Sequence, residues 1–238
     1  MSSWDPDLLK FDRESFGGIA RLFPVPNLVV FPHVMQPLHI FEERYREMLE
    51  DALHHDRLIA MALLAPGWEI EYASRPELVP WACLGKVVSH QRLDDGRYNL
   101  LLVGLHRVRI LDELDPVRSF RQAHVQIADD LEPAASSMSQ QLGEQLLARF
   151  QSHITSVQSS DSLQQLLAAG MPLAMLTDLI SYALPLSGEL KQALLMETCV
   201  ATRARMLLAA IPEPGHSPAN GDDPDGHGAI FPPPFSAN

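Results

Sequence analysis

The sequence predicts an α+β fold: a β-rich, partly closed barrel lobe over residues 17–130, then a C-terminal helical bundle lobe over 139–211. Three observations predict it. Short apolar runs separated by turn residues fill the first half and culminate in a hairpin around Asp94-Asp95-Gly96. From Leu142 onward apolar residues recur instead at three- and four-residue spacing. Between the two regimes, Asp129–Ser139 (DDLEPAASSMS) has the composition of a linker.

Residues 1–16 form an N-terminal extension without the basic start or apolar stretch of a signal peptide. After Gly17-Gly18, Ile19–Phe23 reads as a short strand. Pro24, Pro26, Pro32 and Pro37 each remove an N–H donor, which places this stretch at edges and turns and not in a central ladder. Phe31-Pro32-His33 is the expected turn and Val34–Phe41 the strand behind it. At Glu42 the period changes: Tyr45, Met48, Leu49 and Leu53 share one helical face, while the early carboxylates suit the positive end of the helix dipole.

Arg57–Leu64 returns to strand, and Cys83–Leu93 and Arg97–Leu111 form the hairpin, with Asp-Gly supplying the positive φ angles of a tight primed turn. Leu100–Val103 is apolar on both faces and is expected to be covered on two sides. Beyond Gly104, the expected bulge or bend, Val108 and Ile110 alternate with Arg107 and Arg109, so one face should re-emerge into solvent. Phe120–Ile127 is the last strand.

In the helical lobe Leu142, Leu146, Leu147, Phe150, Ile154 and Val157 form one stripe. Asp161 can cap a short helix that Gly170 ends, and Pro172 can open the next, which carries Leu176, Leu179, Ile180 and Ala183. Ser187 caps a final helix read as running through Leu190, Leu194, Ala201, Leu208 and Ile211. Residues 212–238 hold seven prolines, four glycines, four acids and no Lys or Arg, and are expected to be a disordered acidic tail.

Composition narrows the function classes. The net charge is -12 with three lysines, so neither nucleic acid nor an anionic membrane is an expected partner. No apolar run approaches the ~20 residues of a membrane span. Two distant cysteines, Cys83 and Cys199, fit free thiols in a reducing cytoplasm.

The one Gly-Lys pair, Gly85-Lys86, has Pro80 where a P-loop needs its first glycine and Val87 where it needs Ser or Thr. Neither a G-x-S-x-G elbow nor an H-E-x-x-H motif occurs. His54-His55 and His33/His39 lack the supporting ligands of a metal site, and Cys83 with His90 or His106 reads as apolar filler, not as a nucleophile and base. No catalytic residue, cofactor or metal is expected.

Three stretches carry a resemblance: LFPVPNLVVFPHVMQPLHIFEERYREMLEDAL (22–53), PGWEIEYASRP (66–76) and CLGKVVSHQRLDDGRYNLLLVGLHRVRI (83–110). LTDLISYALPLSGELKQALLMETCVATRARMLL (176–208) supports them in the helical lobe. In this order and spacing they resemble the Lon protease N-terminal (substrate-binding) domain family, particularly its stand-alone bacterial members. The resemblance implies a PUA-like β lobe and a helical bundle. It further implies recognition of unfolded or peptide-like protein segments, or of a protease or adaptor partner, without the ATPase and protease modules. The alternatives are RNA binding, as other PUA-like folds show, and a small hydrolase, for which no motif was found.

The candidate contact residues are Trp68, Tyr72, Arg75 and Trp81 in the long segment 65–82, residue types enriched in binding hot spots, together with Arg107. A competing reading has the two tryptophans lidding the barrel and Arg75 pairing with Glu69, Glu71 or Glu77. At the C-terminus, Phe231 and Phe235 flank Pro232-Pro233-Pro234 as a candidate docking motif of the tail.

Overall fold

The computed structural model describes residues 10–71, 75–153 and 171–212. The chain divides between Asp129 and Asp130 into two compact units. The first carries β1 (Ile19–Val25), β2 (Met35–Ile40), α1 (Glu43–His54), β3 (Leu58–Leu64), a single helical turn α2 (Trp68–Glu71), β4 (Leu78–Arg92), β5 (Tyr98–Glu113) and β6 (Arg121–Ala128). The second carries α3 (Ser136–His153), α4 (Leu173–Ala183), α5 (Gly188–Met196) and α6 (Val200–Ala210).

The strand order is β2-β5-β4-β3-β1-β6, and β5 also pairs with β6, so five strands close into a ring with β2 added outside it. The β1–β3 pair is parallel and the other pairs are antiparallel. The predicted partly closed barrel is therefore present. Ala20, Leu22, Leu58, Ala60, Ala62, Ala82, Leu84, Val108, Ala123 and Val125 form the buried core cluster. Half of these are alanine, as a narrow five-stranded interior requires. Phe11 and Phe16 of the N-terminal extension pack against this cluster, their rings 5.6 Å apart.

β5 changes partner at Gly104. Tyr98–Val103 pair with β2, and Arg107–Glu113 pair with β6. The register against β4 slips at the same point, from Gly85↔Gly104 to Leu84↔His106, which is the predicted bulge. Gly104 N–H donates to Val34 O and its carbonyl accepts from His33 N–H, both at 2.9 Å. The reason for glycine is close approach: a Cβ here would lie 2.1 Å from the Phe31 carbonyl oxygen. Its φ is not left-handed, unlike that of Gly18, Gly67 and Gly96.

Several expectations need correction. Pro24 lies inside β1, between two neighbouring strands, but β6 pairs only with Ile19–Leu22, so Pro24 faces β3 alone and displaces no second ladder. The β4–β5 turn has one positive φ, at Gly96 (82°), and spans three residues, with Leu93 and Arg97 closing it at 2.8 Å. That is a turn ending in a left-handed glycine and not a two-residue primed turn. Arg107 is 2% exposed, so the expected solvated face begins only at Arg109. The last helix is two helices: Leu131 bridges to Cys199, accepting from Val200 N–H and donating to Thr198 O, and the chain breaks there. Pro172 precedes α4 as its N-cap, and does not sit in its first turn.

α1 buries Tyr45, Met48, Leu49 and Ala52, with Tyr45 edge-on to Phe23 at 4.6 Å; Ala52 replaces the expected Leu53. Ser187 caps α5 as predicted, accepting from Leu190 N–H at 3.3 Å. α3 buries Leu142, Leu146, Leu147 and Phe150, while Ile154, Val157, Asp161 and Gly170 fall outside the described residues. The second unit also buries Arg203 completely, among Asp130, Thr177 and Asp178.

Candidate functional site: an arginine cleft beside the β3–β4 loop

The loop between β3 and β4 is closed at its base by Ala65 N–H donating to Glu77 O at 2.8 Å. Gly67 (φ 91°) turns the chain into α2, which carries a half-buried Trp68. Trp81 is also half-buried, on β4 opposite Arg109. Arg75 reaches across to β5: its Nε and Nη2 donate to Glu113 Oε2 at 3.0 and 2.8 Å, and Nη2 also to Leu114 O at 3.1 Å, while the side chain of Glu71 falls outside the described residues. Arg107, buried opposite Cys83 and Ala128, is withdrawn from any exposed contact surface. Tyr72, Phe231 and Phe235 lie outside the described residues.

Glu113 holds a second guanidinium. Arg121 donates to it through Nε at 2.8 Å and through Nη2, and its Nη1 reaches Pro76 O at 2.7 Å. One carboxylate thus ties the loop to β5 and β6. Burial alone would raise the Glu113 pKa, but the hydrogen bonds and charges of Arg121 and Arg75 outweigh it and hold the carboxyl below its ordinary 4.5.

Stability from such a depressed carboxylate is fully present above the unfolded value and is lost as pH falls through the lower folded one. Urea unfolding should therefore show E113Q losing about 1–2 kcal/mol at pH 7 and losing less than the parent chain as pH falls below 4.5. Equal acid losses would show that Glu113 carries none of this dependence.

Beside this knot lies a cleft of about 140 Å³ lined by Arg44, Tyr45, Arg75, Pro116, Arg118, Ser119, Phe120 and Arg121. Arg44 lies over the Tyr45 ring at 4.6 Å and bonds Glu42 at 2.7 Å. Arg118 lies 5.8 Å from the Phe120 ring centroid and 3.0 Å from Asp51. Asp51 is independently held by Arg21 at 2.5 Å, and Arg21 also bonds Asp56 at 2.7 Å. Sequence reasoning missed Arg44, Arg118 and Arg121. Their signal was the adjacency Arg44-Tyr45 and the run Arg118-Ser119-Phe120-Arg121.

His39 meets Asn99 at 2.7 Å, and His54 and His55 meet carbonyls of their own helix. Among the described residues no group of three or more His, Cys, Asp or Glu is placed to hold a metal, and no helix is long and apolar enough to cross a membrane.

The five-stranded ring with β2 outside it, followed by helices, has the fold of Lon N-terminal domains among solved structures. It matches the N-terminal domain of a Mycobacterium avium complex Lon protease with TM-score 0.62 at 16% identity, covering 80% of this chain and 96% of that one. It also matches a Lon N-terminal domain protein from Xanthomonas campestris with TM-score 0.58 at 21% identity, covering 82% and 99%. The family model for the ATP-dependent protease La (LON) substrate-binding domain matches residues 19–212. The chain belongs to that family. Among full proteases, it is 24% identical over 189 residues to the Lon protease of Heliobacterium modesticaldum and 25% over 193 residues to that of Xanthomonas oryzae pv. oryzae. These alignments take in 78% and 80% of this chain but only 23% and 22% of those proteins.

Proposed function

We propose that this chain is a non-catalytic recognition module that holds unfolded or peptide-like protein segments, in connection with proteolysis or protein quality control. The observation that carries the reading is the family match over 19–212, which takes in all the described strands and helices of both units. The relatives' substrate-binding region is what matches, and the residues here offer binding chemistry: half-buried tryptophans by a closed loop and a guanidinium-lined cleft. Purified protein is expected to retain labelled, unfolded casein without shortening it and to leave ATP intact. Casein cleavage or ATP turnover that survives repurification and disappears on mutating one residue of this chain would overturn the reading.

A further inference from the structure

We propose that the cleft of Arg44, Arg75, Arg118 and Arg121 over Tyr45 and Phe120 receives an acidic side chain, Asp or Glu, of a bound unfolded segment; this rests on the recognition function proposed above. Among the described residues, the lining contributes four guanidiniums and no carboxylate. About 140 Å³ is room for roughly four or five waters, hence for one side chain and not for a folded surface. A continuous chain lying across the opening can still deliver one such side chain.

Guanidinium is the group suited to this ligand, since its planar fork matches a carboxylate's two oxygens. Each arginine also has five N–H donors, and Arg118, at 53% side-chain exposure, gives Asp51 a contact at 3.0 Å without exhausting them. The buried rings of Tyr45 and Phe120 (6% and 5% exposed) provide an apolar wall for the aliphatic stem.

Surrounding charge is nearly balanced. Arg21, Arg44, Arg75, Arg118 and Arg121 stand against Glu42, Asp51, Asp56 and Glu113, and exposed Glu47 takes the Ser119 hydroxyl. Selectivity must therefore come from directed N–H groups at short range and not from a long-range field, which at net charge -12 repels acids.

The test uses the full chain and two labelled unstructured peptides of the same length, one with three Glu and the other with Gln at the same positions, followed by fluorescence anisotropy. The Glu peptide is expected to bind about tenfold more tightly, the effect of one charge-assisted hydrogen-bond pair. R118Q should remove most of that difference, and R118K should keep part of it. R118Q is expected to fold, because Asp51 keeps Arg21, and its melting temperature checks this. If R118Q does not fold, the Glu-against-Gln comparison on the parent chain decides alone.

Equal binding of the two peptides, or Glu-peptide binding unmoved in folded R118Q, overturns the acidic cleft while leaving the recognition function standing. Failure of both peptides and of unfolded casein to bind removes both. A homopolymeric RNA that displaces the Glu peptide at lower concentration would overturn it in favour of phosphate.

Discussion

Replacing Gly104 with alanine is expected to cost the β unit about 3 kcal/mol or more, a single methyl group with the effect of a large core disruption. The added Cβ would sit 2.1 Å from Phe31 O, 2.9 Å from Phe31 C and 3.0 Å from Cys83 Sγ. Two of those three atoms are backbone, so no rotamer change relieves the contact. Phe31 cannot withdraw cheaply either, because its carbonyl accepts from Val34 N–H and the next residues bond Gly104 itself. The point where β5 leaves β2 for β6 would have to open. Gly143 makes the control: it is buried in α3, and a Cβ there meets nothing closer than 3.9 Å. G143A should gain up to about 1 kcal/mol from helix propensity. Urea unfolding of both variants checks the pair, and a G104A midpoint equal to the parent's would mean that β5 does not pass Phe31 at this distance.

The second large effect is expected at Arg203, where R203M should destabilise the helical unit by about 3–5 kcal/mol. The guanidinium is fully buried and donates Nε to Thr177 Oγ1 at 2.9 Å, Nη1 and Nη2 to the two oxygens of Asp130 at 2.9 and 2.8 Å, and Nη1 to Glu197 O at 2.7 Å. Asp178, also fully buried, lies 3.6 Å from Nε. Burial opposes its charge, yet the bonds and charges of Asp130 and Asp178 raise its pKa further, so it stays protonated. Methionine replaces the stem but takes the guanidinium away from two carboxylates and from the carbonyl that ends α5. Circular dichroism during thermal or urea unfolding measures the loss. A change under about 1 kcal/mol would be that of an exposed ion pair and would contradict this arrangement.

What was legible in the sequence was what depends on period and turn chemistry. The change from strand to helix at Glu42, the Asp94–Gly96 turn, the bulge at Gly104 and the Ser187 cap are local features, and the structure has them. Hidden features depend on which strands meet. Arg107 alternates with apolar residues as a solvated arginine would, yet it is 2% exposed where β5 runs between β4 and β6. The Arg203 knot left a faint trace: Asp178 lies on the apolar face of α4 between Leu176 and Ile180, where a solvated acid has no reason to be. The break at Glu197–Cys199 left none, because Leu131, 68 positions earlier, imposes it. Similarly Arg75 found Glu113 across the fold, since the loop base places it against β5. Of the candidate contact residues, Arg75 reached the cleft, and the arginines beside it came from α1, the β5–β6 connection and the start of β6.

The central claim is recognition of unfolded protein chain, and the most direct measurement is an equilibrium titration against a matched pair. A small protein and its destabilised, unfolded point variant share all residues but one, so only the presence of the fold differs between them. Labelled and titrated with this chain at physiological ionic strength, the unfolded variant is expected to bind at least about tenfold more tightly than its folded parent. Equal binding of the two forms, or binding of neither, would contradict the account.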